Sequence, residues 1–221
     1  MELIAKLNDT ALFLREVLSQ PRQVGAIMPS SRNLALAMAR WLPNDPTAYV
    51  LELGPGTGAV TEALLSQGLA GNRLIAIEKS PKLAARLRQR FPNSLAITGD
   101  ALHLDRLLSR QALDAAPVAA VISSLPLLNM EARTAQRLLS KILSILAPKG
   151  RLVQYSYHLG SKRSQSLHGF RQIASDIVWL NLPPARVTVY EASAAPSVSR
   201  AKNRTAAKNR PLREMALAGV S

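Results

Sequence analysis

The stretch "VLELGPGTG", residues 50–58, decides the fold of this chain. Its first four residues continue an apolar run from Tyr49 and predict a short buried strand. Gly54, Gly56 and Gly58 then permit a tight turn and a close approach of the backbone to a ligand. The next ten residues, "AVTEALLSQG", predict a helix. A strand, a glycine turn and a helix in this order are typical of α/β proteins that bind nucleotide-like cofactors.

The alternation of strand and helix continues along the chain. Further strands are predicted in "RLIAIE", "LAITGD", "VAAVISS" and "GRLVQYSY", and helices in "SPKLAARLRQRF" and "EARTAQRLLSKILSIL". The run "IVWLNLPPARVTVYE" gives two strand-like pieces separated by Pro183 and Pro184, which suit an antiparallel edge. We therefore predict an α/β, Rossmann-like fold: a doubly wound, mostly parallel sheet of seven strands with an antiparallel edge, preceded by N-terminal helices.

Acidic residues at three successive strand ends indicate which cofactor the glycine turn takes. NAD, FAD and S-adenosylmethionine sites all use such a turn, so the turn alone does not decide. Glu52, before the first glycine, would repel a pyrophosphate but attract a cationic amino acid or a sulfonium. Glu78 is placed to bind ribose hydroxyls, and Asp100 to reach the adenine amino group. These carboxylates predict S-adenosylmethionine, with S-adenosylhomocysteine as the product.

The composition limits the partners. The chain of 221 residues has no cysteine, which excludes disulfides and thiolate metal sites, and we predict no metal. Its 28 basic against 14 acidic residues give a net charge of +14, which favours a polyanionic partner, either nucleic acid or anionic lipid. An aromatic content of 4% favours lipid, because single-stranded nucleic acid binds on stacked rings.

Three regions are predicted along the chain. Residues 1–20 form an amphipathic helix whose apolar stripe either packs on the domain or lies among lipid headgroups. Residues 21–191 form the cofactor-binding domain. Residues 192–221, with six basic residues and one acid, form a disordered basic tail. Without a signal peptide or an apolar run of roughly 18–20 residues, the protein is expected in the cytoplasm, peripheral on the inner face of the cell membrane.

Six stretches in the same order resemble the bacterial phospholipid N-methyltransferases. They are "VGAIMPSS", "VLELGPGTGAVTEALL", "AIEKSPKLAARLRQRFP", "GDA", "SSLPLLN" and "NLPPARVTVYE", and they cover the chain from about Leu12 to Glu191. Those enzymes have the class I methyltransferase fold and convert phosphatidylethanolamine stepwise toward phosphatidylcholine. The resemblance implies this activity and peripheral attachment through an N-terminal helix.

The resemblance also assigns roles to the cofactor residues. Glu52 and the glycine turn would hold the methionine end, Glu78 the ribose, and Asp100 with Ala101 the adenine. Residues 123–125 would line the site of transfer. The complete predicted cofactor set is Glu52, Gly54, Pro55, Gly56, Thr57, Gly58, Glu78, Lys79, Asp100, Ala101, Ser124 and Leu125.

The acceptor side is predicted from the chemistry of amine methylation. An alkylammonium with a pKa near about 10 must lose its proton before it can attack. Tyr157, His158 and Ser123 are the predicted catalytic residues, and the candidate proton acceptors are His158, Tyr157 and His103. Tyr155 and Tyr157 point to one side of a strand, where their rings bind a methylated ammonium or pack in the core. The predicted substrate-binding residues are Ser30, Ser31, Tyr155 and Arg186, the last for a lipid phosphate.

Three other functions share these motifs. The positive charge fits an enzyme similar to the ribosomal RNA adenine dimethylases, but those carry an aromatic residue after strand four to stack the target base. Here that turn reads "SSLPL", so we predict no stable nucleic-acid partner. Another aminolipid, such as ornithine lipid, fits as well as phosphatidylethanolamine. A membrane-docking module that binds S-adenosylmethionine without catalysis is the third alternative. The sequence does not indicate an oligomeric state.

Overall fold

The computed structural model describes residues 32–45, 47–113, 117–127, 130–157, 167, 169–181 and 184–193. The predicted helix at residues 1–20 lies outside these residues, as do Ser30, Ser31 and His158. Nearly all of the predicted basic tail lies outside them too. The predictions made for those positions therefore stay predictions.

Seven strands form a single mixed sheet. They are β1 (Tyr49–Leu53), β2 (Leu74–Glu78), β3 (Leu95–Thr98), β4 (Val118–Ser123), β5 (Leu146–Ser156), β6 (Phe170–Val178) and β7 (Ala185–Ala192). Their order across the sheet is β3-β2-β1-β4-β5-β7-β6, and only β7 runs antiparallel to its neighbours. The predicted seven-stranded, mostly parallel sheet is confirmed. Strand order reverses between β1 and β4, the place where open α/β sheets bind ligands.

Helices cover both faces of the sheet. The described helices are α1 (Arg32–Ala39), α2 (Ala59–Ser66), α3 (Pro81–Arg90), α4 (Leu104–Ser109) and α5 (Ala132–Ile145). The first three pack on one face and the last two on the other. β1 and β2 are buried along their whole length, which explains why they read as continuous apolar runs.

The edge strand β6 differs from its prediction. The sequence suggested a strand in "IVWL", but β6 begins at Phe170 and ends at Val178, and Trp179 and Leu180 lie in the turn that follows. Most of β6 is only half-buried, since it has a neighbour on one side alone. Polar residues therefore replace apolar ones along it, and its sequence signal is weak.

The described helices are short. None of them has the combination of length and apolar character that crossing a bilayer requires. The longest, α5, carries a buried stripe of Leu138, Leu139, Ile142 and Ile145 and packs on the sheet.

Candidate active site

Backbone hydrogen bonds join the turns that follow the parallel strands. The Gly54 N–H donates to the Ile77 carbonyl at 2.9 Å, and the Ser124 N–H donates to the Leu53 carbonyl at 2.9 Å. The Gly99 N–H likewise donates to the Glu78 carbonyl at 2.9 Å. These bonds hold the carboxyl ends of β1 to β4 at one edge of the sheet, so the predicted cofactor residues come together there.

The three glycines of the turn adopt conformations that other residues avoid. Their φ angles are +70° at Gly54, +58° at Gly56 and +86° at Gly58, all in the left-handed region. A Cβ atom at Gly54 would lie 2.8 Å from Leu125 Cδ2. The turn after β4 therefore packs directly on the glycine turn, which places the predicted transfer site beside the predicted cofactor site.

The far end of the glycine turn is fixed by α3. The Gly58 N–H donates to the Pro55 carbonyl at 2.9 Å, and Arg90 Nη1 donates to the Thr57 carbonyl at 2.9 Å. Arg90 also forms an ion pair with Glu62 at 2.7 Å. Pro55 and Thr57 thus shape the turn through their carbonyl oxygens, which accept bonds from within the protein.

Replacing Gly58 with alanine should lower the free energy of unfolding by about 2–4 kcal/mol, because strain and overpacking add. The new Cβ would meet Phe91 Cε2 at 2.7 Å and Leu87 Cδ2 at 2.9 Å. Gly68 is the matched control: its φ is +93°, yet a Cβ there meets nothing within 4 Å. Gly68→Ala should cost about 1 kcal/mol. Urea unfolding measures both, and equal losses would contradict the packing argument.

The Glu78 carboxylate links the glycine turn to the end of β2. Its Oε2 accepts a hydrogen bond from the Gly56 N–H at 3.0 Å, and its Oε1 accepts one from the Ser80 N–H at 2.9 Å. The side chain is only 7% exposed. Each carboxylate oxygen can accept more than one bond, so the group remains able to bind hydroxyls.

Glu52 is fully buried at the end of β1. Thr61 Oγ1 donates to its Oε2 at 2.7 Å, whereas Oε1 has no hydrogen-bond partner among the described residues. Burial raises the pKa of Glu52 to about 8; the negative charge of Glu78 adds to this rise and the Thr61 hydrogen bond opposes it. The carboxyl is therefore largely protonated at neutral pH until a cation comes close.

Asp100 lies at the end of the third strand, beside Lys79. Its Oδ1 accepts the Leu102 N–H at 2.9 Å, and its Oδ2 is 3.1 Å from Lys79 Nζ. Burial acts to raise the pKa of Asp100, but the Leu102 hydrogen bond and the Lys79 ammonium outweigh it, and the pKa lies below its usual value. Ala101, next in the chain, is buried and begins a single 3₁₀ turn.

The turn after β4 is held by the side chain of Ser123. Ser123 is fully buried, and its Oγ accepts a hydrogen bond from the Leu125 N–H at 3.3 Å. The Leu127 N–H donates to the Leu125 carbonyl at 2.8 Å. Ser123 therefore fixes the turn, and the half-buried Ser124 and Leu125 form its surface.

The two predicted tyrosines contact each other at the end of β5. The rings of Tyr155 and Tyr157 lie edge to face, with centroids 5.6 Å apart. Burial, followed by the neighbouring Tyr155, raises the pKa of Tyr157 to about 12, although a hydrogen bond with Asn181 acts in the opposite direction. Tyr157 therefore stays protonated at neutral pH. This argues against Tyr157 as a proton acceptor and favours a role for its ring or as a hydrogen-bond donor.

Arg186 lies at the same edge but on the other face of the sheet. It is paired with Ser156, between the two tyrosines, so its side chain points away from theirs. Its Nη1 donates to Ser175 Oγ at 3.1 Å. The structure therefore does not bring Arg186 and the tyrosines into one pocket, and a phosphate held by Arg186 would lie on the opposite face from the rings.

Residues 50–150 match the sequence family described as a methyltransferase domain. This range contains the glycine turn, both buried glutamates and the turn after β4. The chain is an S-adenosylmethionine-dependent methyltransferase. The predicted class of enzyme is confirmed, and so is S-adenosylmethionine as the methyl donor.

Known proteins similar to this methyltransferase fall into two groups by the extent of the match. The ornithine lipid N-methyltransferase of Singulisphaera acidiphila is 27% identical over 182 residues, which is 81% of this chain and 94% of that protein. The ribosomal RNA small subunit methyltransferase A of Chlorobium limicola is 32% identical over only 84 residues, 38% of this chain and 31% of that protein. The match with the ribosomal RNA enzyme therefore leaves most of both chains uncovered.

A solved structure confirms the fold of the methyltransferase. The N-methyltransferase NodS from Bradyrhizobium japonicum, in complex with S-adenosyl-L-homocysteine, superposes with a TM-score of 0.59. The comparison covers 85% of this chain and all of NodS, at 17% sequence identity. At that identity the likeness establishes the class I methyltransferase fold.

The buried polar atoms of the methyltransferase fit S-adenosylmethionine. Glu52 Oε1 lacks a partner among the described residues, as expected for an acceptor that awaits the cationic methionine end. Glu78 retains acceptor capacity for ribose hydroxyls, and the glycine turn keeps side chains away from the ligand. Glu52 and Glu78 are the two residues that would hold the donor most directly.

Three polar residues near the site of the methyltransferase were not singled out from the sequence. Thr61 binds Glu52 from the first turns of α2, and Asn181 is 3% exposed and hydrogen-bonded to Tyr157. Gln154 is 4% exposed, pairs with Ser123 across the sheet, and its Oε1 has no partner within the described structure. The position of Gln154 inside the otherwise apolar strand "RLVQY" could have indicated from the sequence that this residue has a special role.

No metal site is found among the described residues. The described part of the chain holds no group of three or more His, Asp or Glu side chains arranged around a common point.

Proposed function

We propose that this methyltransferase transfers methyl groups to the amine of an aminophospholipid, phosphatidylethanolamine, stepwise toward phosphatidylcholine. The extent of the match carries the aminolipid class of acceptor: the ornithine lipid N-methyltransferase aligns along 81% of this chain, whereas the ribosomal RNA enzyme aligns along 38%. A relative matched along most of the chain is the better guide to the acceptor. Within that class, the resemblance of six sequence stretches to the phospholipid N-methyltransferases supports phosphatidylethanolamine.

The turn after β4 supports a lipid acceptor. Its described residues are Ser124, Leu125, Pro126 and Leu127, with no aromatic ring on which a base can stack. Leu125 packs against the glycine turn, and Leu127 is buried. Serine hydroxyls and backbone carbonyls suffice to orient a small amine, and the leucines offer apolar contact to a lipid.

The residues of the chain act mainly by positioning the amine and the donor. Bound S-adenosylmethionine supplies an electrophilic methyl carbon attached to a sulfonium. Glu52 and Glu78 fix the two ends of the donor, while the half-buried Tyr157 ring offers a π face that attracts an ammonium, more strongly as it gains methyl groups. Tyr155 is buried in the core and packs against Tyr157. A precise arrangement of this kind accounts for much of the rate of a displacement reaction.

The acceptor amine must also lose a proton. Burial in a pocket of low polarity lowers the pKa of an ammonium, so the closed site itself favours the neutral amine. Because Tyr157 remains protonated, we propose His158 as the acceptor of the proton. It follows Tyr157 directly in the chain and lies outside the described residues.

Ornithine lipid is the second candidate acceptor, favoured by the name of the relative from Singulisphaera acidiphila. It also presents a primary amine on a lipid, so the same site chemistry applies. The proposed partners are accordingly an anionic membrane surface and an aminolipid, reached from the cytoplasmic side through the helix predicted from the sequence at residues 1–20 and the predicted basic tail.

Purified protein incubated with labelled S-adenosylmethionine and vesicles tests the acceptor. One vesicle preparation contains phosphatidylethanolamine and phosphatidylglycerol, and a second replaces phosphatidylethanolamine with ornithine lipid. We expect mono-, di- and trimethylated phosphatidylethanolamine to appear in that order. Label in ornithine lipid alone would identify ornithine lipid as the acceptor in place of phosphatidylethanolamine. Label in neither lipid would overturn the proposal.

A further inference from the structure

Two large apolar side chains are exposed in the turn between β6 and β7. Trp179 is 68% exposed and Leu180 is 81% exposed. Among the described residues the next most exposed large apolar side chain is Ile173, at 36%. The turn lies at the carboxyl edge of the parallel strands, because the start of β7 pairs with the end of β5 at Ser156 and Arg186. The exposed pair therefore flanks the mouth of the active site.

The turn is fixed to the body of the protein. The Asn181 N–H donates to the Val178 carbonyl at 3.3 Å, and Asn33 Nδ2 at the start of α1 donates to the Leu180 carbonyl at 3.3 Å. The Asn181 side chain is buried and hydrogen-bonded to Tyr157. Asn181 thus links the turn that carries Trp179 and Leu180 to Tyr157 in the active site.

The charge around this turn favours a lipid surface over a protein partner. Arg32, adjacent to Asn33, is exposed, and the nearby acid Asp176 is neutralised in an ion pair with Arg40. The whole chain carries a net charge of +14, which complements anionic headgroups. Tryptophan prefers the boundary between headgroups and acyl chains, where its ring is apolar and its N–H remains hydrated.

We propose that the turn carrying Trp179 and Leu180 inserts into the headgroup boundary of an anionic bilayer and seats the mouth of the active site on the membrane. This rests on the proposed function, since an enzyme that takes its acceptor from a bilayer must place its site at the surface. The assigned occupant is the lipid interface, and the contact is made by residues other than the helix predicted from the sequence at residues 1–20.

Tryptophan fluorescence tests the insertion directly, because the chain has only two tryptophans. In a Trp41→Phe variant, the exposed Trp179 is the sole reporter. Vesicles of phosphatidylglycerol and phosphatidylethanolamine should shift its emission to shorter wavelength, and acyl-chain brominated lipids should quench it. Emission unchanged at saturating vesicle binding would overturn the proposal.

A double variant, Trp179→Ser with Leu180→Ser, tests how much the two apolar side chains contribute to the affinity for vesicles. Its affinity for the same vesicles should fall about tenfold or more, because two apolar side chains lose their burial. Ile173→Ser, which removes the other exposed apolar residue, is the matched control and should bind as the wild type does. Unchanged affinity of the double variant would contradict insertion.

Activity on a short-chain phosphatidylethanolamine, dispersed below its micellar concentration, separates this inference from the proposed function. The double variant should methylate the dispersed lipid at the wild-type rate but vesicles about tenfold more slowly, in line with its weaker binding. If the wild type methylates neither lipid and still shows the vesicle-induced shift, the proposed function fails while the insertion stands. Equal losses on dispersed and vesicle lipid would instead assign the turn a role in folding and overturn the insertion.

Discussion

Replacing Glu78 with alanine is expected to weaken S-adenosylmethionine binding by about two to three orders of magnitude, the largest loss from any single side chain of the site. The carboxylate accepts the buried Gly56 N–H and the half-buried Ser80 N–H, so its removal takes away the acceptor of both donors and frees the glycine turn. It also removes the acceptor for the ribose. Each charge-assisted bond contributes about 1.5–3 kcal/mol, and two of them account for the expected loss.

Titration calorimetry with S-adenosylhomocysteine measures this loss, and circular dichroism checks that the variant is folded. Glu62→Ala is the matched control, because Glu62 is an exposed glutamate paired with Arg90 in the adjacent helix. Its removal should change affinity by less than about fivefold, as expected for a surface ion pair. A Glu78→Ala variant that binds the ligand within threefold of wild type would show that the ribose is held elsewhere.

Replacing Glu52 with glutamine is expected to remove the pH dependence of S-adenosylmethionine binding. Because the pKa of Glu52 is raised to about 8, the carboxyl must lose its proton when the cationic methionine end arrives. Wild-type affinity should therefore rise by up to about tenfold per pH unit between about pH 5.5 and about pH 7.5. The glutamine variant should bind about ten- to a hundredfold more weakly at the upper end of this range, with a flat profile.

The proton count gives a second measurement of the same group. Calorimetry in buffers of different ionisation enthalpy should detect close to one proton released by the wild type at neutral pH, and none by the variant. The free energy of unfolding should change with pH in the opposite direction to the affinity. The folded protein holds on Glu52 a proton that the unfolded chain loses near pH 4.5, so the stability of the wild type falls as the pH rises from there toward about 8. A pH-independent wild-type affinity would contradict the assigned role of Glu52.

The cofactor half of the site was predictable because its residues are local to strand ends. In a parallel sheet the carboxyl ends of neighbouring strands meet at one edge, so Glu52 and Glu78 had to converge once the strands were recognised. The positive φ angles of the three glycines explain why the turn could be read from residue type alone. The structure adds what each carboxylate contacts, above all the orphaned oxygen of Glu52.

The acceptor half was less predictable because it depends on contacts between distant parts of the chain. Nothing local to Tyr157 indicates that Asn181 will form a hydrogen bond with it, or that burial will raise its pKa. The placement of Arg186 depends on the register of β7 against β5, and a shift of one residue would move its side chain to the tyrosine face. The prediction of the edge strand β6 was wrong in its bounds, because the apolar pattern of an exposed strand is weak. Trp179 and Leu180 were therefore assigned to a strand, although they lie in the turn that follows it.

Competition for one labelled methyl group tests the central claim most directly. Purified protein is incubated with labelled S-adenosylmethionine in the presence of both aminolipid vesicles and ribosomal RNA, and the organic and RNA fractions are then counted separately. The account predicts label in the aminolipid, with successive mono-, di- and trimethylated products, and only background counts in the RNA. Label in the RNA with none in the lipid would contradict it.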